Sequence, residues 1–257
     1  MPRRVQMIAT VLASLVLGAC QSLPEGVTPQ EATWLYGKHT LPASATLSGG
    51  IETYTPLLNK ELEREHAKRI IKPGIEIPAA IYMHGCAGIS AEAYSYRKLM
   101  LSQGYAFFMP DSFARPGREK LCGKGGMSER VAMRQQEVDV ALKALRELPW
   151  IDQDRLVLMG FSEGGNTTDS WYSADFTGLI VLGSACTNSG GSPSAPERVP
   201  VLAIVGEVDE YRPGMSCTIE RTVGGSRSIV INGANHWISH YDETQNAIKE
   251  FLVSCCM

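Results

Sequence analysis

The chain has 257 residues, a formal net charge of −3, 44% hydrophobic residues and seven cysteines. That length supports one α/β domain with a large core, and the sequence shows no second domain, internal repeat or low-complexity tract. No basic stripe is interleaved with aromatic residues, so nothing points to a nucleic-acid partner.

Arg3 and Arg4 precede an apolar run from Met7 to Leu17. The run is too short to span a membrane stably and has the character of a signal-peptide core. It ends Leu17-Gly18-Ala19-Cys20, which resembles the lipobox of bacterial lipoproteins. That resemblance implies cleavage before Cys20, lipid on Cys20, and a membrane partner through that anchor; with Gln21 next, it implies the outer membrane, facing the periplasm. A plain signal peptide followed by a coincidental cysteine is the alternative. Removing residues 1–19 leaves about 238 residues (257 minus 19) and takes away Arg3 and Arg4, so the net charge moves from −3 to about −5. Residues 20–50 are rich in Pro, Thr, Ser and Gly and read as a tether, part of which packs because Trp34, Leu35 and Tyr36 are costly to leave in water. Residues 51–257 are expected to form the domain.

From Leu57 to Ile71, Leu58, Leu62, His66 and Ile70 recur at helical spacing and predict a surface helix, with His66 in a structural role. Ala79 to His84 predicts a buried strand running into His84-Gly85-Cys86-Ala87-Gly88. A helix follows over Glu92 to Gln103, then a strand over Tyr105 to Pro110 ending at Asp111-Ser112-Phe113. The glycine-rich stretch Ala114 to Gly126 reads as a long loop over the site. Its Gly123-Lys124-Gly125-Gly126 lacks the spacing and the Lys-Ser/Thr pair of a P-loop. Ser128 to Leu148 predicts a long helix with Ser128 as N-cap. Further strands are expected over Gly178 to Gly183, Val199 to Val205 and Ser228 to Ile231, and a last helix over Asp242 to Val253. Apolar strands alternating with helices imply a mostly parallel central sheet with helices on both faces.

The centre of this pattern is Arg155 to Gly165, RLVLMGFSEGG. An apolar strand runs into Gly160-Phe161-Ser162-Glu163-Gly164, a G-x-S-x-G turn. Such a turn strains the serine, lifts its hydroxyl clear of the backbone, and lets neighbouring chain approach at the glycines. Ser162 is therefore the candidate nucleophile. Two later strands lead to partners: one through Gly206-Glu207-Val208 to Asp209, the other through Asn232-Gly233-Ala234-Asn235 to His236. Each lies just past a strand's carboxyl end, where open α/β sheets place ligands. His236 would shuttle the proton and Asp209 would hold its tautomer. His240 competes for the base, and Glu207 and Glu210 compete for the acid. Asp111 reads as a loop-capping carboxylate. The His-Gly turn at His84-Gly85 resembles the oxyanion loop of α/β hydrolases, which makes the backbone N–H groups of Cys86 and Glu163 the expected oxyanion donors and gives His84 an orienting role. Cys86 itself, lacking an elbow, is a weaker candidate for nucleophile.

Together, His84-Gly85-Cys86-Ala87-Gly88, Pro110-Asp111-Ser112-Phe113, Gly160 to Gly165, Gly206 to Asp209 and Gly233 to His236 resemble the dienelactone hydrolase family of α/β hydrolases, over residues 76 to 253. The resemblance implies an α/β-hydrolase fold and hydrolysis of a carboxylic ester, small or polymeric, through an acyl-enzyme. True dienelactone hydrolases use a cysteine nucleophile, so Ser162 favours a serine esterase over a lactone specialist. The same machinery would serve a peptidase or amidase, and a third alternative is an interaction lipoprotein with an unused triad. No His, Cys or carboxylate spacing suggests a metal, and no cofactor is expected. Oligomeric state is not legible.

Setting Cys20 aside leaves six cysteines in a chain read as exported. In the sheet that the resemblance implies, strands 79–84 and 105–110 are neighbours, as are 178–183 and 199–205. Cys86–Cys122 and Cys186–Cys217 disulfides are therefore expected, with Cys255 and Cys256 open; free, buried thiols are the alternative.

Overall fold

The computed structural model describes residues 23–211 and 215–256. The expected signal peptide over 1–19 and the lipidation site Cys20 lie outside the described residues.

Eight strands form one sheet: β1 Lys38–Leu41, β2 Glu52–Tyr54, β3 Ile77–Met83, β4 Ala106–Met109, β5 Ile151–Phe161, β6 Gly178–Leu182, β7 Val201–Gly206 and β8 Arg227–Ile231. Their order is β2-β1-β4-β3-β5-β6-β7-β8. The six strands from β4 to β8 pair in parallel, and β1 is antiparallel to both β4 and β2. The parallel strands are continuous apolar runs because both faces are covered. In β3, Ala79, Ile81 and Met83 enter one core, and Ala80 and Tyr82 enter the other. The first core takes helices α1 Pro29–Leu35, α2 Lys60–Ile70 and α4 Met127–Arg146; the second takes α3 Ala91–Ser102 and α6 Asp242–Cys256. The short helix α5 Glu163–Asp169 follows β5 directly and packs on α4. At 25 cal/mol per Å², each fully buried Leu, Ile or Phe along these strands contributes roughly 1.5 to 3 kcal/mol.

Three expectations change. The tether over 20–50 is folded into the domain from residue 28 onward. Thr28 and Glu31 form a capping box with Pro29 at the first helical position, and α1 buries Trp34 against Phe108 at 5.4 Å between rings. β1 then continues the sheet, with His39 buried and its Nε2 2.8 Å from Trp34 O. On α2 the buried positions are Glu63 and Ala67, whereas Leu58 and Leu62 are about 60% exposed. Glu63 can turn inward because Tyr54 Oη donates to it at 2.7 Å and Lys60 Nζ at 2.9 Å, satisfying the buried charge. Finally, α4 is capped by Gly126 at φ 76°, not by Ser128. A left-handed turn is needed to bring the preceding loop into the helix, and glycine adopts it without strain.

Candidate active site

The G-x-S-x-G turn is explained by close approach. Ser162 sits between β5 and α5 with φ 57° and ψ −114°, a conformation unfavourable for a residue with a Cβ. A Cβ on Gly160 would overlap the Gly164 carbonyl, and one on Gly164 would overlap the Met83 carbonyl. A Cβ on Gly165 would lie 2.6 Å from Leu182 O. The first turn of α5 is thus pressed against β3, β5 and β6, and only glycine lets the serine be carried at this crest.

His236 follows β8 and Asp209 follows β7, with both side chains buried. His236 Nδ1 lies 2.6 Å from Asp209 Oδ2, and Asp209 Oδ1 accepts the Tyr211 N–H at 2.8 Å. With Nδ1 donating to the carboxylate, Nε2 is the ring nitrogen free to take a proton. The ring is wedged by Phe161 at 4.8 Å and Tyr211 at 4.7 Å. Gly183, at φ 57°, leaves room for it: an added Cβ would come 3.0 Å from His236 Cε1. Gly206 does the same for the two loops, since a Cβ there would overlap the carbonyls of Ala234 and Asn235. Ser162 and His236 line one cavity of about 470 Å³ together with Gly85, Cys86 and Glu163.

The competitors fall elsewhere. His240 is exposed, its ring tilted against Tyr241 at 4.3 Å. Glu207 accepts from Gly233 N at 2.8 Å and Glu210 from His236 N at 3.3 Å, so both brace the histidine loop through its backbone. Asp111 caps its loop, accepting from Phe113 N at 3.0 Å. Behind the histidine, Glu92 accepts from Ser239 N at 3.3 Å, and burial pushes its carboxyl up to about 6.

The two expected oxyanion donors lie on peptide units held from behind. In a trans peptide the C=O and N–H point in opposite directions, so pinning one aims the other. Gly85 O, on the unit that carries the Cys86 N–H, lies 2.8 Å from His84 Nδ1 and accepts from Gly88 N at 3.1 Å. Ser112 N donates to His84 Nε2 at 3.0 Å, which assigns the proton on the fully buried ring to Nδ1. Burial, with Arg134 nearby, holds that imidazole well below its usual range, hence neutral. Ser162 O, on the unit that carries the Glu163 N–H, accepts from Asn166 N and Asn166 Nδ2, each at 2.9 Å.

Residues 115–126 form a strap at the cavity rim. Cys86 and Cys122 are joined by a disulfide with Cα atoms 5.2 Å apart, and Cys186 is joined to Cys217 at 5.1 Å. Cys255 and Cys256 are bonded to each other. What sequence reading did not find is the ion cluster beneath the strap. Glu163, 1% exposed, meets Arg118, Arg130 Nε at 2.8 Å and Arg134 Nη1 at 3.2 Å. Burial alone would raise the Glu163 carboxyl, but Arg134, Arg118 and Arg130 together hold it below the ordinary range. Glu137, also buried, accepts from Ser112 Oγ at 2.9 Å and pairs with Arg115 at 3.3 Å. The available signal was Arg130 and Arg134 one helical turn apart on α4.

No family model and no curated protein matches this chain. Solved structures do. Est1E from Butyrivibrio proteoclasticus is 14% identical, with 70% of this chain and 89% of that one covered and a TM-score of 0.55. Its ferulic acid complex gives 13%, 70%, 90% and 0.53. A protein described as a dienelactone hydrolase, from Klebsiella pneumoniae subsp. pneumoniae, gives 15%, 71%, 88% and 0.47. With the parallel sheet, its helices on both faces and the serine crest after β5, the likeness to Est1E places the chain among the proteins of the α/β-hydrolase fold.

Proposed function

We propose that this chain is an exported serine hydrolase that cleaves a carboxylic ester through an acyl-enzyme. The observation that carries the reading is a strained Ser162 sharing a cavity with His236, whose Nδ1 is bonded to the buried Asp209. Est1E, which shares the fold, has been solved with ferulic acid bound, a carboxylic acid of the kind that ester cleavage releases, and this supports the same class. In the first step Ser162 Oγ attacks the ester carbonyl carbon while His236 Nε2 takes its proton. The negative charge that develops on the carbonyl oxygen is received by the N–H groups of Cys86 and Glu163. Collapse breaks the C–O bond, and His236 gives its proton to the departing alcohol. Water then attacks the acyl-serine by the same route in reverse, releasing the acid and restoring Ser162. Asp209 stabilises the imidazolium at each proton transfer.

A panel of chromogenic acyl esters, with a feruloyl ester and matched amides, tests this beside fluorophosphonate labelling. Ser162→Ala should keep the fold and lose turnover by about 10³-fold or more, with His236→Ala similar and the double variant little worse. A phosphonate adduct on any other residue would overturn the assignment, and amide cleavage outrunning ester cleavage would move the reading to a peptidase or amidase. The address is part of the proposal: with Cys20 lipidated, the protein partitions with membranes, and Cys20→Ser releases it or blocks processing. An unacylated N-terminus beyond residue 20 in mass spectrometry would refute the anchor.

A further inference from the structure

We propose that Arg134 is a positioning residue that locks the two oxyanion donors to one another, which rests on the reading of Ser162 as nucleophile. The donors come from segments far apart in sequence: the loop after β3 supplies Cys86, and the crest after β5 supplies Glu163. The hydrogen bonds to Gly85 O and Ser162 O aim each peptide unit within its own segment. Between the segments the backbone spacing is set by the β3–β5 ladder, which pairs Met83 with Gly160, and by the close approach of Gly164 to the Met83 carbonyl. Beyond the end of that ladder one side chain ties them: Arg134 Nη1 donates both to His84 O, one peptide before the Gly85 unit, and to Glu163 Oε1 at 3.2 Å.

Arg134 is 0% exposed on α4, with Glu137 Oε2 3.6 Å from its Nε. Its Nε and Nη2 make no hydrogen bond, so the burial of this charge rests on the ion pairs to Glu137 and Glu163 and on the two bonds of Nη1, and losing those bonds would be costly. Nη1 carries two protons fixed in the guanidinium plane, one for the carbonyl and one for the carboxylate, a geometry that a lysine ammonium on a flexible stem does not hold as well. The cluster also sets the sign of the field. Among the described residues, Arg115, Arg118, Arg130 and Arg134 pair with two carboxylates, Glu137 and Glu163, so positive charge is in excess behind the donors, where an oxyanion would develop.

The test uses the full chain with Arg134→Gln and Arg134→Lys, each checked for a native circular dichroism spectrum. Steady-state hydrolysis of a chromogenic acetyl ester and the infrared carbonyl band of a trapped acyl-enzyme are the readouts. Arg134→Gln should lower kcat about 10- to 100-fold and leave KM within about twofold, because misplaced donors weaken transition-state binding only. The acyl carbonyl band should move to higher frequency as polarisation is lost, with Arg134→Lys recovering part of both effects. A folded Arg134→Gln protein with parental kcat, or with a parental band, overturns the proposal. If Arg134→Gln does not fold, Glu163→Gln decides, since it keeps the shape and the backbone N–H and removes the shared carboxylate. A kcat about tenfold lower with the same band shift is then expected, and parental kcat overturns the proposal. Absence of any acyl-enzyme on Ser162 in the parent is a separate outcome, which sinks the serine reading itself.

Discussion

The crest at residues 160–169 and the strap at residues 115–126 face each other across the cavity and are held by opposite means. The crest is held by backbone. Gly160, Gly164 and Gly165 allow contact with neighbouring strands, and Ser162 N donates to Leu182 O at 2.8 Å. The strap has no strand or helix and is held by side chains: the Cys86–Cys122 disulfide, Arg118 on Glu163, and Arg130 donating to the carbonyls of Lys124 and Gly125. Backbone packing places Ser162, the proposed nucleophile. Side-chain pairing places the cover, so the prediction is that solution conditions release it without unfolding the sheet.

Breaking the crest should have the largest effect. Gly164→Ala puts a methyl into the Met83 carbonyl, and the expected outcome is a loss of about 4 kcal/mol in denaturant unfolding, or insoluble protein, with ester turnover gone. The strap should be separable. The Cys86–Cys122 bond spans a sequence separation of 36, worth roughly 3 to 4 kcal/mol in the chain-entropy model. Cys122→Ser should therefore lower the melting temperature and turnover while the sheet still unfolds cooperatively. In the parent protein, reductant should cut turnover before circular dichroism changes; native protein in which Cys86 or Cys122 alkylates without reductant would show that the bridge does not form.

Arg118→Gln removes one of three guanidiniums from Glu163 and should cost about 1 to 2 kcal/mol, since Arg130 and Arg134 remain. Its sharper sign is faster hydrogen exchange in 115–126 with 160–169 unchanged; equal acceleration in both would erase the distinction between them.

The smallest effect is on pH. Glu163 is held below the ordinary carboxylate range in the folded state, so its pairing contributes fully above the unfolded value, near 4.3, and is lost as pH falls through the folded value. Acidification should thus loosen the strap only below the usual carboxylate range, and Glu163→Gln should abolish that dependence. Limited proteolysis from pH 6 to pH 3 checks both: cleavage in 115–126 already complete at pH 5 in the parent would contradict the pairing.

What the sequence by itself determined was written in short range. The apolar runs of β3 to β7, the glycine-serine crest and the positions of Asp209 and His236 past their strands follow from local periodicity and turn chemistry. The order of those strands then brought Cys86 beside Cys122 and Cys186 beside Cys217. Tertiary structure decided the rest, where a residue's fate depends on a distant partner. Lys38–Leu41 became a strand because β4 offered an edge, and Glu63 rather than Leu62 turned inward because Tyr54 was there to donate. Arg118, Arg130 and Arg134 read as ordinary charges on a loop and a helix. They became a buried cluster only when α5 delivered Glu163 among them, since burial of a charge is decided by its partner and not by its own position in the chain.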